Sequence, residues 1–298
     1  GLKGNDLAVV FGGGALAAII GAADDLFDLR ARWQLLGQLV LAVFAVLLGL
    51  GVDFISNPFG SGLIPFGTPF AIAFTVIWIV GMLNSMNFID GLDGLSTGIA
   101  LIAALTLGVL SLTPAVGPVG QPYVAVLCIV LAGALLGFLR FNFQPASIFQ
   151  GTSGVMFMGY ILAVLAILGT AKVVVALLVL GVPIIDTFWV IVRRLLAGKS
   201  PFTPDRGHIH HRLLDVGLGH RGTVLLIYAI CASLGVISLV VSTATQVYAF
   251  LGALVAFGVA LFLLTRAPAG ALAPSAYEGD EADDAPGDEQ PAGRDEVG

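Results

Sequence analysis

Long stretches of this chain carry no charged side chain, and that constrains its fold more than any motif does. Charge is absent from Trp33 to Val52, Phe54 to Ile89, Gly94 to Leu139, Phe141 to Ala171 and Gly222 to Thr265. A membrane-crossing helix needs about 20 predominantly apolar residues. Only 11% of the sequence is charged, against about a quarter in a soluble domain. One globule cannot bury that much apolar surface, so lipid is the solvent for most of it. In lipid the backbone must satisfy its polar groups within the segment, which selects helices. The expected fold is all-α, a polytopic transmembrane helical bundle. Its spans, about nine by the length rule, fall near 6–23, 34–51, 69–84, 95–113, 122–139, 153–170, 172–192, 223–243 and 246–265. Pro/Gly-rich, uncharged segments at 57–69 and 113–122 read as connectors.

The transmembrane body occupies 1–266. A tail at 267–298 holds nearly half of the 19 acidic residues and almost no large apolar ones, the composition of a disordered acidic segment. No basic stretch followed by a short apolar run marks a cleavable leader. Cys128 and Cys231 lie in apolar runs and read as small core residues.

With this many spans the loops alternate sides. One side receives Arg30, Arg32, Arg140, Arg193, Arg194, Lys199, Arg206, Arg212 and Arg221, with Arg266 at the exit; the other receives Lys3 and Lys172. Cations favour the cytoplasm, so the first set of loops, and the acidic tail, are expected there. The expected location is a plasma membrane, with the site on its cytoplasmic face. Ionisable residues near membrane depth are costly and by default functional, and four of these loops carry polar clusters.

In the first, GAADDLFDLRARWQLLGQ (21–38), Asp24 and Asp25 are adjacent carboxylates at a span's end. They need a cation, a proton or water, so both are candidates for Mg²⁺ coordination or base work; an acidic helix end salt-linked to Arg30 or Arg32 is the plainer reading. The second is NSMNFIDGLDGLSTG (84–98). If it is helical, Asn87 lies one turn before Asp90, and Asp90 and Asp93 share a surface. Amide and carboxylate oxygens together suit a hard cation or a sugar hydroxyl; a capped helix stop is the alternative. In the third, RFNFQPASIFQGTSGVMFMG (140–159), Gly151, Thr152, Ser153 and Gly154 form a hydroxyl-rich turn opening a helix, where an anion can bind. An ordinary N-cap is equally consistent.

The fourth runs from Pro183 to Arg221. Asp186 sits about two turns before Arg193 and Arg194, and His208, His210 and His211 stand between Arg206 and Arg212. With no cysteine and many cations this resembles a polyanion clamp more than a zinc cage. A basic loop on anionic headgroups would explain the arginines but not the histidines. Carboxylates for a divalent cation beside a basic loop, both at the lipid boundary, suit phosphoryl transfer with a lipid as one substrate. A secondary transporter would place its ionisable groups nearer the midplane, in repeated halves, and no repeat is evident. Nothing points to nucleic acid.

Together these motifs resemble the polyprenyl-phosphate N-acetylhexosamine-1-phosphate transferase family. The carriers are DDLFDL (24–29), NSMNFIDGLDGLSTG, GFLRFNFQPASIFQG (137–151), VPIIDTFWVIVRR (182–194) and DRGHIHHRLLDVGL (205–218), in family order. The HIHH form is similar to the branch that uses UDP-N-acetylglucosamine. The resemblance implies attack by undecaprenyl or decaprenyl phosphate on the β-phosphorus of a UDP-N-acetylhexosamine, with loss of UMP. It implies catalytic roles for Asp24, Asp25, Asp90, Asp93, His208, His210 and His211. Asn84, Asn87, Asp186, Arg193, Arg194, Arg206, Arg212, Gly151 and Thr152 would bind substrate. Asn87, Asp24 and Asp25 would hold Mg²⁺, with Mn²⁺ as a substitute. A homodimer is also consistent with the resemblance.

Three departures stand out. Thr152 occupies the place of a family carboxylate that binds Mg²⁺, and Gln34 the place of a common lysine. The family's first two spans have no counterpart ahead of residue 6. Thr152 supports a second reading, a catalytically weak relative that binds polyprenyl phosphate or a nucleotide sugar.

Overall fold

The computed structural model describes residues 4–57, 63–113, 121–169, 173–196, 198, 208–241 and 243–266. Apart from one short hairpin, the regular structure there is helical. A first helix, α1 (Gly4–Leu7), passes through a π-helical turn (Ala8–Gly12) into α2 (Gly13–Phe27). Then follow α3 (Ala31–Leu47), α4 (Thr68–Ile89), α5 (Leu95–Leu112), α6 (Pro122–Asn142) and α7 (Gly151–Leu168). The chain continues through α8 (Val173–Val179), α9 (Gly181–Leu196), α10 (Ile209–Asp215), α11 (His220–Val240) and α12 (Thr243–Arg266). Strands β1 (Phe54–Ser56) and β2 (Leu63–Pro65) pair antiparallel, Ile55 opposite Ile64, within the expected connector region.

The sequence explains where helices start and stop. Pro69 and Pro122 occupy the first turns of α4 and α6, where the missing N–H costs nothing. α2 stops at Asp28, whose left-handed backbone (φ 48°) returns its N–H to the Asp24 carbonyl at 2.9 Å. Between α8 and α9 the axis bends by 79°. Pro183 lacks an N–H and its ring opposes the carbonyl four residues earlier, at Val179, where α8 ends.

Six helices are long and apolar enough to cross a membrane, and seven if the bent α8–α9 pair is one span. The chain is thus a polytopic α-helical membrane protein. The expected segment 34–51 maps to a shorter apolar helix, Ala31–Leu47, and 246–265 lies within the 24-residue α12. The expected 172–192 span is the broken pair. The 267–298 tail and the connector at 114–120 lie outside the described residues.

α7 is central, with α2 and α4 on its flanks, while α5 packs on α6 and α11. Its Tyr160 and Leu162 to Ala166 are fully buried. Outward residues such as Leu26, Phe27, Val130 and Leu136 are over 60% exposed, as a lipid-facing surface requires. Several buried polar groups are paired across helices. Trp78 Nε1 donates to the Ala163 carbonyl at 3.1 Å, and Tyr160 Oη to the Val9 carbonyl at 3.1 Å. Gly21 is what lets α2 and α7 touch, because a Cβ there would collide with the Ser153 backbone. That contact brings the end of α2 to the start of α7.

Candidate active site

The four clusters meet at one end of the bundle. Asp90 follows the last residue of α4, and residues 91–94 form a turn before α5. The stretch is therefore a helix stop as well as a ligand surface, and its two carboxylates stand on the turn instead of on one helical face. Asp90 Oδ1 accepts from Ser96 Oγ at 2.5 Å and Gln150 Nε2 at 2.6 Å. Asp93 Oδ2 accepts from the Ala146 N–H at 3.0 Å. Burial raises the Asp90 carboxyl above its usual range, the charge of Asp93 adds to this, and the Ser96 and Gln150 hydrogen bonds oppose it.

Gln150 is held at both ends. Its amide oxygen accepts from Thr97 Oγ1 at 2.9 Å; the same hydroxyl lies 2.8 Å from Asn142 Oδ1, and Asn142 Nδ2 donates to the Ile148 carbonyl at 3.0 Å. Asp90, Gly91, Asp93, Asn142, Gln150, Gly151 and His220 line one cavity of about 320 Å³. A second, mainly apolar cavity of about 400 Å³ lies between α2, α6 and α7, reached by Leu131, Phe138 and Phe157. Phe149 and Gln150 line both.

Asp25 takes the N-terminus of α7. Its Oδ1 accepts the Thr152 N–H at 2.7 Å and its Oδ2 the Ser153 N–H at 3.0 Å. The anion at this helix start is thus the protein's own carboxylate, placed against Gly151 at the cavity's edge. Asp24 is buried, its Oδ1 accepting from the Leu29 N–H at 3.1 Å and Gln34 Nε2 at 2.8 Å. Gln34 therefore supplies a neutral donor where the resemblance implies a lysine. Asn84 pairs with Gln38 of α3, donating to Oε1 at 2.6 Å. Asn87 is half-buried on the last turns of α4.

The histidine loop closes over the turn. Asp186, 1% exposed, accepts the Ile209 N–H at 2.9 Å and contacts His208 Nδ1 at 2.7 Å. It caps α10 from outside and orients the ring with an Nδ1–H toward the carboxylate, leaving Nε2 turned away from Asp186. The His208 and His210 rings stack at 5.7 Å, His211 lies 4.3 Å from His210, and Phe88 of α4 lies 5.7 Å from His208. The His210 ring sits on Gly91, where a Cβ would overlap Nε2. Burial first, then His211 and His208, push His210 down to about 3, so this ring is neutral. Arg193 and Arg194 occupy the last turn of α9, and Arg212 lies within α10. Arg206 lies outside the described residues.

Asn142, Gln150 and His220 line this pocket, Ser96 and Thr97 hydrogen-bond to its Asp90 and Gln150, and none of the five stands out as a motif. Hydroxyls and amides at the ends of uncharged spans were the available signal. For a divalent ion the donors do not fit as they stand. Protein hydrogen bonds occupy an oxygen of Asp24, Asp90 and Asp93 and both oxygens of Asp25. Among the described residues no three His, Cys, Asp or Glu side chains could share an ion.

A helical membrane body with a polar, carboxylate- and imidazole-lined pocket opening beside an apolar groove defines a membrane-embedded protein built to bring a polar ligand to a lipid-facing surface. The chain belongs to glycosyl transferase family 4, whose model matches residues 7–170. It is 39% identical over 239 residues to the probable undecaprenyl-phosphate N-acetylglucosaminyl 1-phosphate transferase of Bacillus subtilis, covering 78% of this chain and 65% of that one. It is 38% identical over 276 residues to the decaprenyl-phosphate N-acetylglucosaminephosphotransferase of Mycobacterium tuberculosis, covering 84% and 68%. It is 30% identical over 236 residues to the undecaprenyl-phosphate alpha-N-acetylglucosaminyl 1-phosphate transferase of Escherichia coli K12, covering 74% and 62%. The chain therefore spans roughly two thirds of the length of these relatives.

Proposed function

We propose that this chain carries the site that transfers N-acetylhexosamine 1-phosphate, GlcNAc 1-phosphate above all, from a UDP-sugar to polyprenyl phosphate. The observation that carries the reading is the junction of two cavities at Phe149 and Gln150. An apolar groove suits a prenyl chain, and the polar cavity beyond it suits the phosphates it must meet. The names of the relatives support the same chemistry.

In this reading an oxygen of the lipid phosphate forms a bond to the β-phosphorus. The bond from that phosphorus to the oxygen bridging to the α-phosphate breaks, and UMP leaves with the electron pair. A phosphate monoester loses its second proton near pH ~6, so the attacking oxygen needs orientation more than a base. Asp25 holds the start of α7 against the groove, and Asp24 holds the turn after α2. Asp90 and Asp93 shape the nucleotide side, and Asp186 aims His208.

The proposed topology has nine spans, the short α3 spanning by local bilayer thinning, with the site on the cytoplasmic face. The cation asymmetry supports that orientation, and the family resemblance leaves room for a homodimer. Purified protein incubated with radiolabelled UDP-GlcNAc and polyprenyl phosphate, with and without Mg²⁺, should produce lipid-linked label. Its absence while UDP-GlcNAc still binds would favour the second reading, a relative that binds without turnover, which Thr152 supports. Cysteines introduced in the 205–221 loop should react with impermeant reagent only from the cytoplasmic side.

A further inference from the structure

Each carboxylate of this pocket already has a neutral partner. Asp90 is held by the Gln150 amide and the Ser96 hydroxyl, Asp25 by two α7 N–H groups. Asp24 is held by Gln34 and the Leu29 N–H, Asp93 by the Ala146 N–H. Gln150 is not a loose side chain that an arriving ion would displace cheaply. Its oxygen is fixed by Thr97 and its nitrogen also reaches Ser96 Oγ at 2.5 Å. The position best placed to add a carboxylate next to Asp25, residue 152, is a threonine, and a neutral hydroxyl is a poor ligand for a hard divalent ion. The cavity still has a side chain suited to a phosphate. His220, the first residue of α11, lines it, and its Nε2 is buried with no hydrogen-bond partner among the described residues.

We propose that this pocket binds the diphosphate of its nucleotide sugar without a bridging divalent cation, Gln150 standing as the counter-group of Asp90 and His220 contacting the phosphate. The proposal rests on the nucleotide-sugar reading above. A cavity of about 320 Å³ reaches the lower end of the range for small-molecule sites, roughly 300–1,000 Å³, enough for the diphosphate with the sugar or base extending outward. Gln150 and Thr152 then belong to one design. The amide removes the need for a cation at Asp90, and the hydroxyl removes the ligand that would recruit one.

The test is calorimetric titration of UDP-GlcNAc into the full chain in detergent, once in excess EDTA and once in MgCl₂. The two affinities should agree within about threefold, less than 1 kcal/mol. Loss of threefold or more in EDTA overturns the proposal. His220→Ala should weaken binding about tenfold in both media, 1.4 kcal/mol, and unchanged affinity overturns the role given to His220. The double variant Gln150→Met with Thr152→Asp adds one carboxylate to the start of α7, beside Asp25 of α2, and removes the Gln150 amide from Asp90. MgCl₂ alone should raise its melting temperature while leaving that of the wild type unchanged. No magnesium response in the folded variant would mean these two positions do not exclude the ion. The wild-type comparison in EDTA stands even if the variant misfolds. Absence of UDP-GlcNAc binding in both media sinks the transfer reading, and this inference with it, an outcome distinct from magnesium-dependent binding.

Discussion

Asp186 is the residue whose removal tests most directly how the histidine loop is held. It is 1% exposed and accepts two hydrogen bonds, from the Ile209 N–H at 2.9 Å and from His208 Nδ1 at 2.7 Å. Asp186→Ala leaves both donors buried and unpaired. Hydrogen bonds to a charged group contribute about 1.5–3 kcal/mol each, so the loss should be about 3–6 kcal/mol. Asp186→Asn keeps the volume and one acceptor oxygen. Its carbonyl can still take the Ile209 N–H, but its NH₂ then faces Nδ1, and His208 must move its proton to Nε2. That variant should lose about half as much, roughly 1.5–3 kcal/mol, and it reverses the hydrogen-bonding sense of the nitrogen the neutral ring offers. Thermal unfolding of purified protein in detergent reads the first effect. At roughly 2–4 °C per kcal/mol for a large domain, Asp186→Ala should melt at least about 6 °C below the wild type, with Asp186→Asn between them. UDP-GlcNAc titration reads the second, because Asp186→Asn should bind more weakly at a temperature where it remains folded. An Asp186→Ala protein melting within about 1 °C of the wild type would refute the claim that this carboxylate holds α10 in place.

Asp90→Asn should abolish turnover in protein that still inserts and folds, measured as lipid-linked label from membranes matched for expression; a wild-type rate would remove Asp90 from the site. Gly91→Ala should cost about 1–3 kcal/mol through overlap with the His210 ring, and His210→Ala in the same chain should recover most of that loss in melting temperature, since contacting residues couple. The neutral His210 takes up its proton more readily unfolded, near 6.5, than folded, near 3. The unfolded state therefore binds more protons across that window, and stability should fall on acidification below pH 6.5. The loss approaches about 1.4 kcal/mol per pH unit, and in His210→Leu the melting temperature should fall less steeply with acid by that single proton.

Composition and runs of uncharged residues determined that this chain is a bundle of membrane helices. That reading needs only the transfer cost of side chains and backbone into lipid, which is local to each segment. The same logic marked the functional end, because NxxNxxDGxDG and HIHH place polar groups where lipid makes them expensive. It could not show the pairings. Asp25 meets Thr152 across 127 positions of chain and Asp90 meets Gln150 across 60, and no periodicity carries such a distance. Asp186 of α9 meets His208 across 22 positions, a pairing that no helical spacing within α9 could show. Gln150, Ser96 and His220 do not stand out for the same reason: a lone amide, hydroxyl or imidazole has no signature until packing supplies its partner. Span length, too, was settled in three dimensions, where Pro183 breaks one expected helix and α3 ends short. The sequence fixes which solvent each segment prefers; only helix packing, through contacts as close as Gly21 on Ser153, decides which polar atoms are left to face a ligand.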